Sequence, residues 1–173
     1  MNPDRREMQI NPDVRIRPLH REDRTRIEEV VVSSGKFTPG EIAVAMELVD
    51  EALRDGEAGG YIFAVLEEEG RQPPLQGYVC YGHTPLTDGV YDLYWIVVDP
   101  ISQGKGFGRR LLDFVEKDVI GRGGRMLLIE TSAQQTYDAT IRFYQRSGYE
   151  LAARIKNFYR VGDDKLVFSK ELR

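Results

Sequence analysis

The segment that most constrains this chain is Tyr91-Asp-Leu-Tyr-Trp-Ile-Val-Val98, which runs straight into Asp99-Pro-Ile-Ser-Gln-Gly-Lys-Gly-Phe-Gly-Arg-Arg110. The first half is rich in β-branched and aromatic residues and predicts a strand. Beyond the loop, Phe107, Leu111, Leu112, Phe114, Val115 and Val119 fall at helical spacing until Gly121 to Gly124 stop the helix. Strand, glycine loop and helix in that order can cradle a phosphate or pyrophosphate, because the first N–H groups of a helix lack internal partners and glycine lets the backbone approach a ligand. Lys105, Arg109 and Arg110 add positive charge. The plain alternative is a flexible connection that is merely glycine-rich.

Spacing separates the phosphate loops that compete for this segment. A Walker A loop needs Lys followed by Ser or Thr, whereas Lys105 is followed by Gly106. A dinucleotide fingerprint G-x-G-x-x-G begins well at Gly104 and Gly106, but Arg109 stands at its third glycine. Glu130, about 20 residues on, imitates the ribose-binding acid of that fold, so it remains a runner-up. The third pattern, [QR]-x-x-G-x-[GA], is met by Gln103-Gly-Lys-Gly-Phe-Gly108 after Val98-Asp-Pro100.

The rest of the chain frames this unit. At 173 residues it is the size of one domain. Lys plus Arg number 24 against 28 Asp plus Glu, a net charge of −4 that argues against a nucleic-acid partner. A single cysteine, Cys80, excludes an internal disulfide, and with two distant histidines, His20 and His83, it makes no zinc cluster, so no metal is expected. No apolar run approaches the roughly 20 residues of a membrane helix. The expectation is a cytoplasmic protein without a membrane partner. Residues 1–12 read as a polar tail and 13–173 as a single domain. Val14 to Leu19 predicts a strand and Glu22 to Val32 a helix. Thr38-Pro-Gly-Glu41 has the residues of a capped helix start. Three strands follow, at Tyr61 to Leu66, Gly77 to Tyr81 and Val90 to Val98. After the helix come a strand at Arg125 to Glu130, a helix at Tyr137 to Ser147, and strands at Glu150 to Tyr159 and Lys165 to Lys170. Hairpin-like strands around one strand–helix–strand crossover predict a mixed, mostly antiparallel α/β sheet with flanking helices.

With the loop and Phe143-Tyr-Gln-Arg-Ser-Gly-Tyr149 both in place, the sequence resembles the GNAT superfamily of CoA-dependent N-acetyltransferases, over roughly Val14 to Leu172. The ending Asn157-Phe-Tyr-Arg-Val-Gly-Asp-Asp-Lys165 is similar to that of a subset without a settled substrate. The resemblance implies that backbone N–H groups of Gln103, Gly104, Lys105, Gly106, Phe107, Gly108 and Arg109 hold the pyrophosphate of acetyl-CoA, and that Ile96, Val97 and Val98 pair with its pantetheine. It implies parallel central strands, 90–98 and 125–130, that splay apart. The activity it implies is transfer of an acetyl group to a primary amine of unknown identity, small or on a peptide, by direct attack in a ternary complex. The different-class alternative is an acyl-CoA sensor without turnover. A homodimer is left open. The family often has Asn about seven residues before the tyrosine of the last helix, where this chain has Tyr137 and Asp138, so the usual pantetheine contact there is in question.

A thioester is already activated, so the protein has to position an amine, remove a proton and protonate the leaving thiolate. The resemblance assigns Tyr144 as the proton donor; its bland reading is a core aromatic. Asp92, eleven positions before Gln103, and Glu130, at a strand end, are the candidate bases. Asp92 reads first as a polar residue on an open strand face, and Glu130 alternatively as a cap for the turn through Thr131 and Ser132; of the two as bases, Glu130 is preferred. Cys80 reads as a small core residue, His83 as a solvated loop residue, and the acidic residues after Thr38 as a solvated face. Tyr94, Trp95, Phe158 and Tyr159 either line an acceptor pocket or pack the core, and strand alternation sends Tyr94 and Trp95 to opposite faces.

Overall fold

The computed structural model describes residues 14–172; the expected tail at 1–12 lies outside them. Seven strands, β1 (Val14–Pro18), β2 (Ile62–Glu68), β3 (Leu75–His83), β4 (Val90–Val98), β5 (Met126–Ser132), β6 (Glu150–Arg160) and β7 (Asp163–Glu171), form one sheet. Its order is β1-β2-β3-β4-β5-β7-β6. Every neighbouring pair is antiparallel except β4 and β5, which are joined by the crossover helix α3 (Phe107–Gly121).

The sheet separates two apolar layers. Helices α1 (Asp23–Ser33) and α2 (Pro39–Asp55) cover one face, where Ile27, Val30, Val31 and Val49 pack on Phe63, Val65 and Tyr78. On the other face, Leu111, Leu112 and Val115 of α3 and Tyr144 of α4 (Asp138–Arg146) pack with Leu127, Ile129 and Phe168. The expected start of α2 is realised in full: the Thr38 hydroxyl accepts the Glu41 N–H at 3.2 Å, and the Glu41 carboxylate accepts the Thr38 N–H at 2.8 Å.

Two irregularities position the site. In β4 the pairing jumps from Leu93↔Tyr81 to Trp95↔Cys80, leaving Tyr94 as an extra, bulged residue. The alternation expected of β4 therefore fails there. Leu93 and Ile96 lie on the α3 side, whereas Trp95 packs edge-on to Phe37 and Tyr94 edge-on to Tyr61, both on the α1–α2 side. At the opposite end of the sheet, β6 carries a longer excursion between Ile155↔Lys165 and Arg160↔Asp163. Asn157 takes φ of 53° there, and the Asp164 carboxylate accepts its N–H at 2.8 Å and an Arg154 N–H at 2.6 Å. No helix among the described residues is long and apolar enough to cross a membrane.

Candidate active site

Pairing between the parallel strands stops early. It runs from Val90↔Met126 to Leu93↔Ile129, after which β4 continues to Val98 beside β3 alone. The two strands separate as expected, and the edge of β4 beyond Leu93 that faces β5 has no ladder partner among the described residues. The opening is part of a cleft of about 1190 Å³ that runs from the glycine loop to the ends of β5 and β6.

At one end stands the glycine loop, rooted by buried polar contacts. Asp99 accepts hydrogen bonds from the Ile101 N–H and Arg26, and the Ser102 hydroxyl donates to the fully buried Gln76 side chain at 2.6 Å. Gly104 and Gly106 have φ of 79° and 80°, the left-handed region that glycine enters without strain. A Cβ at either would meet open space. The first bond closing α3 is Arg110 N–H to Gly106 O at 3.0 Å. From Gly104 to Arg109 the backbone N–H groups have no partner among the described residues. Such a row of unpaired donors at a helix start fits a pyrophosphate. Ile96, Val97, Val98, Gln103, Gly104, Gly106, Phe107, Gly108 and Arg109 all line the cleft. Lys105 is the exception: its ammonium pairs with Glu68 at 3.1 Å and lies over the Phe107 ring.

Tyr144 sits where the core meets the cleft. It is a buried member of the core, with Phe143, Tyr149 and Phe168 as ring neighbours, and it also forms part of the cleft wall. Burial pushes its phenol well above the usual tyrosine value. Asp92 and Glu130 line the cleft as well. One Asp92 oxygen accepts the Thr84 hydroxyl at 2.5 Å. Glu130 does not cap the turn: its carboxylate pairs with the Lys165 ammonium at 2.5 Å, while Ser132 donates to Asp163 and accepts the Gln134 N–H. Cys80 is fully buried, and burial raises its thiol far above the ordinary range. His83 is exposed, stacks edge-on with Tyr91 and is not part of the cleft.

Several cleft residues escaped the sequence reading. The α1–α2 connection contributes Lys36, Phe37 and Thr38, and the Tyr137 hydroxyl reaches across to the Lys36 carbonyl at 3.4 Å. Asp163, the first residue of β7, also lines the wall. Nothing in local spacing announces these neighbours, because they meet only through the sheet. Tyr94, Trp95 and Tyr159 do line the cleft, whereas Phe158 lies outside it under the Lys165 ammonium.

Residues 59–151, more than half of the chain and the whole strand–loop–helix unit, match the family described as acetyltransferase (GNAT) domain. The chain belongs to the GNAT family. A GNAT-family protein of known structure from Desulfovibrio desulfuricans is 46% identical, with 92% of this chain and 99% of that one superimposed at a TM-score of 0.88. The N-alpha-acetyltransferase RimI of Mycobacterium tuberculosis is 30% identical over 57% of this chain and 51% of its own. The chain spans about half the length of the curated relatives it matches. A Salmonella typhimurium structure solved with its cofactor acetyl-CoA shares the GNAT fold at a TM-score of 0.69, with 20% identity over 93% of this chain and 95% of that one.

Proposed function

We propose that the chain, working as a single domain, transfers the acetyl group of acetyl-CoA to a primary amine by direct attack in a ternary complex. The observation that carries this is the row of unpaired N–H groups from Gly104 to Arg109 at the head of a slot opened by the separation of β4 from β5. In this reading those donors hold the pyrophosphate, and the free edge of β4 at Ile96 to Val98 receives the pantetheine amides. Acetyl-CoA supplies an acyl group already activated as a thioester.

The remaining work falls to side chains of the same cleft. An alkylamine with a pKa of about 10.4 is mostly protonated at neutral pH, so a carboxylate has to take a proton, directly or through water, before nitrogen attacks. Asp92 and Glu130 are the candidates. The C–N bond forms as the C–S bond breaks, and the sulfur leaves with the electron pair. Burial keeps the Tyr144 phenol protonated across the working range, and the same desolvation makes a bare thiolate costly beside it. Tyr144 therefore gives that thiolate a hydrogen bond and then its proton, which solvent returns.

Titration calorimetry with CoA, followed by a thiol-release screen of amines, peptides and polyamines, tests this reading. Micromolar CoA binding with release on at least one primary amine is expected. CoA binding without release from any acceptor would make the chain a sensor and overturn the proposal.

A further inference from the structure

Charge is distributed unevenly along the cleft. Arg109 follows the glycine loop, and Arg146 ends the helix whose Phe143 lies 3.6 Å from the position of a Gly108 Cβ. The far end is lined by four carboxylates, Glu41, Asp92, Glu130 and Asp163, from α2, β4, β5 and β7. Three cations stand near them. Lys165 is held by Glu130 and lies 4.5 Å above the Phe158 ring, Arg160 is mostly exposed and only 3.8 Å from Asp163, and Lys36 is exposed on the α1–α2 connection. Asp92 has a hydroxyl partner and no cation among the described residues.

The same end is walled by rings. The bulge brings Tyr94 and Trp95 to one side, the β6 excursion presents Tyr159, and Tyr137 lines the cleft with its hydroxyl on the Lys36 carbonyl. Tyr159 lies within electrostatic reach of Glu130, Asp163 and Glu41, and Tyr94 within reach of Asp92 and Glu130, so the rings and carboxylates form one cluster. Aromatic faces with nearby carboxylates suit an organic ammonium. A carboxylate brought into that cluster meets like charge and, among the described residues, finds the nearby cations paired or in solvent.

We infer that this end of the cleft selects an ammonium borne on an aromatic or apolar body and rejects acceptors with a carboxylate beside the reacting amine. The inference rests on the acetyl-transfer reading and deepens it. Phenethylamine, phenylalaninamide and phenylalanine form a matched set: one ring and one amine, with no substituent, a neutral amide or a carboxylate. Thiol release should give kcat/KM at least tenfold higher for the first two than for phenylalanine. In Glu130→Gln that ratio should shrink severalfold, whatever happens to the absolute rate. Binding of the same three probes to the CoA-loaded protein, followed by saturation-transfer NMR, supplies a second measurement. Equal use or equal binding of phenylalanine and phenylalaninamide overturns the inference, as does failure of all three to bind. Selective binding of the two amines without thiol release supports it and leaves acetyl transfer to be decided by the wider acceptor screen.

Discussion

Tyr144 belongs at once to the core and to the cleft wall. Its ring belongs to the core, and its hydroxyl is left without a protein partner among the described residues while the residue lines the cleft. Tyr144→Phe should keep both the fold and CoA affinity, and lower turnover by roughly ten- to ten-thousandfold, the range for loss of a positioned acid. Steady-state kinetics beside calorimetry would show it; unchanged turnover would return the residue to packing alone. The two carboxylates differ more than their sequence positions suggest. Glu130 is tied to Lys165, whereas Asp92 is tied only to a neutral hydroxyl. Glu130→Gln and Asp92→Asn should each lower turnover near pH 7, with partial rescue at high pH as free amine accumulates. The structure favours the larger effect at Asp92, the reverse of the order drawn from strand-end position. Wild-type pH–rate profiles in both variants would exclude both as bases.

Among the elements, the glycine loop and the two irregular strands shape the cleft. Gly106 caps α3 in the left-handed region, where a branched side chain is strained by about 1–3 kcal/mol. Its Cβ would meet open space, at a residue that lines the cleft. Gly106→Val should therefore leave circular dichroism near native and weaken CoA binding at least tenfold. Gly108→Ala, with ordinary φ and only van der Waals contact to Phe143, should weaken it far less. The excursion of β6 depends on Asp164, whose carboxyl is held below the usual range by the Asn157 N–H and by Arg154. Asp164→Ala should relax that excursion, move Tyr159 and raise KM for the acceptor severalfold while leaving CoA affinity unchanged.

Across the whole molecule, one ionic cluster ties the N-terminal strand and helix to the sheet. Arg17 of β1 donates to both Asp23 oxygens at 2.8 Å and to Glu67 of β2 at 2.5 Å, with all three side chains less than a fifth exposed. Burial pushes the Asp23 carboxyl up, but hydrogen bonds from Arg17 and from the His20 N–H outweigh it, and Glu67 is held down chiefly by Arg17. Carboxylates lowered in the fold give stability that is present above their unfolded values, near pH 4, and that is lost as pH falls through the folded ones. Arg17→Met would leave the buried Asp23 carboxylate without a cation and Glu67 with the exposed Arg15 alone. A loss of about 3–5 kcal/mol is expected, with acid unfolding followed by circular dichroism moving to higher pH. An unchanged acid midpoint would show that the cluster contributes nothing net.

Local chemistry alone specified the helix start at Thr38, the loop from Gln103 to Gly108, the crossover at α3 and the family, because capping, φ > 0 and apolar periodicity act over a few residues. The α4 helix begins one residue later than expected, at Asp138, after a short 3-10 turn. What depended on distant partners was not legible. The Tyr94 bulge exists only in the register of β4 against β3, and it overturned the alternation of Tyr94 and Trp95. Lys165 reaches Glu130 because β7 lies beside β5, and Lys36 meets Tyr137 across a cleft that no linear spacing encodes. Sequence thus determined the glycine loop and the elements that flank it, through short-range backbone and side-chain preferences. Tertiary structure decided which of them are paired, buried or free to act, since charge compensation and desolvation depend on neighbours brought together only by folding.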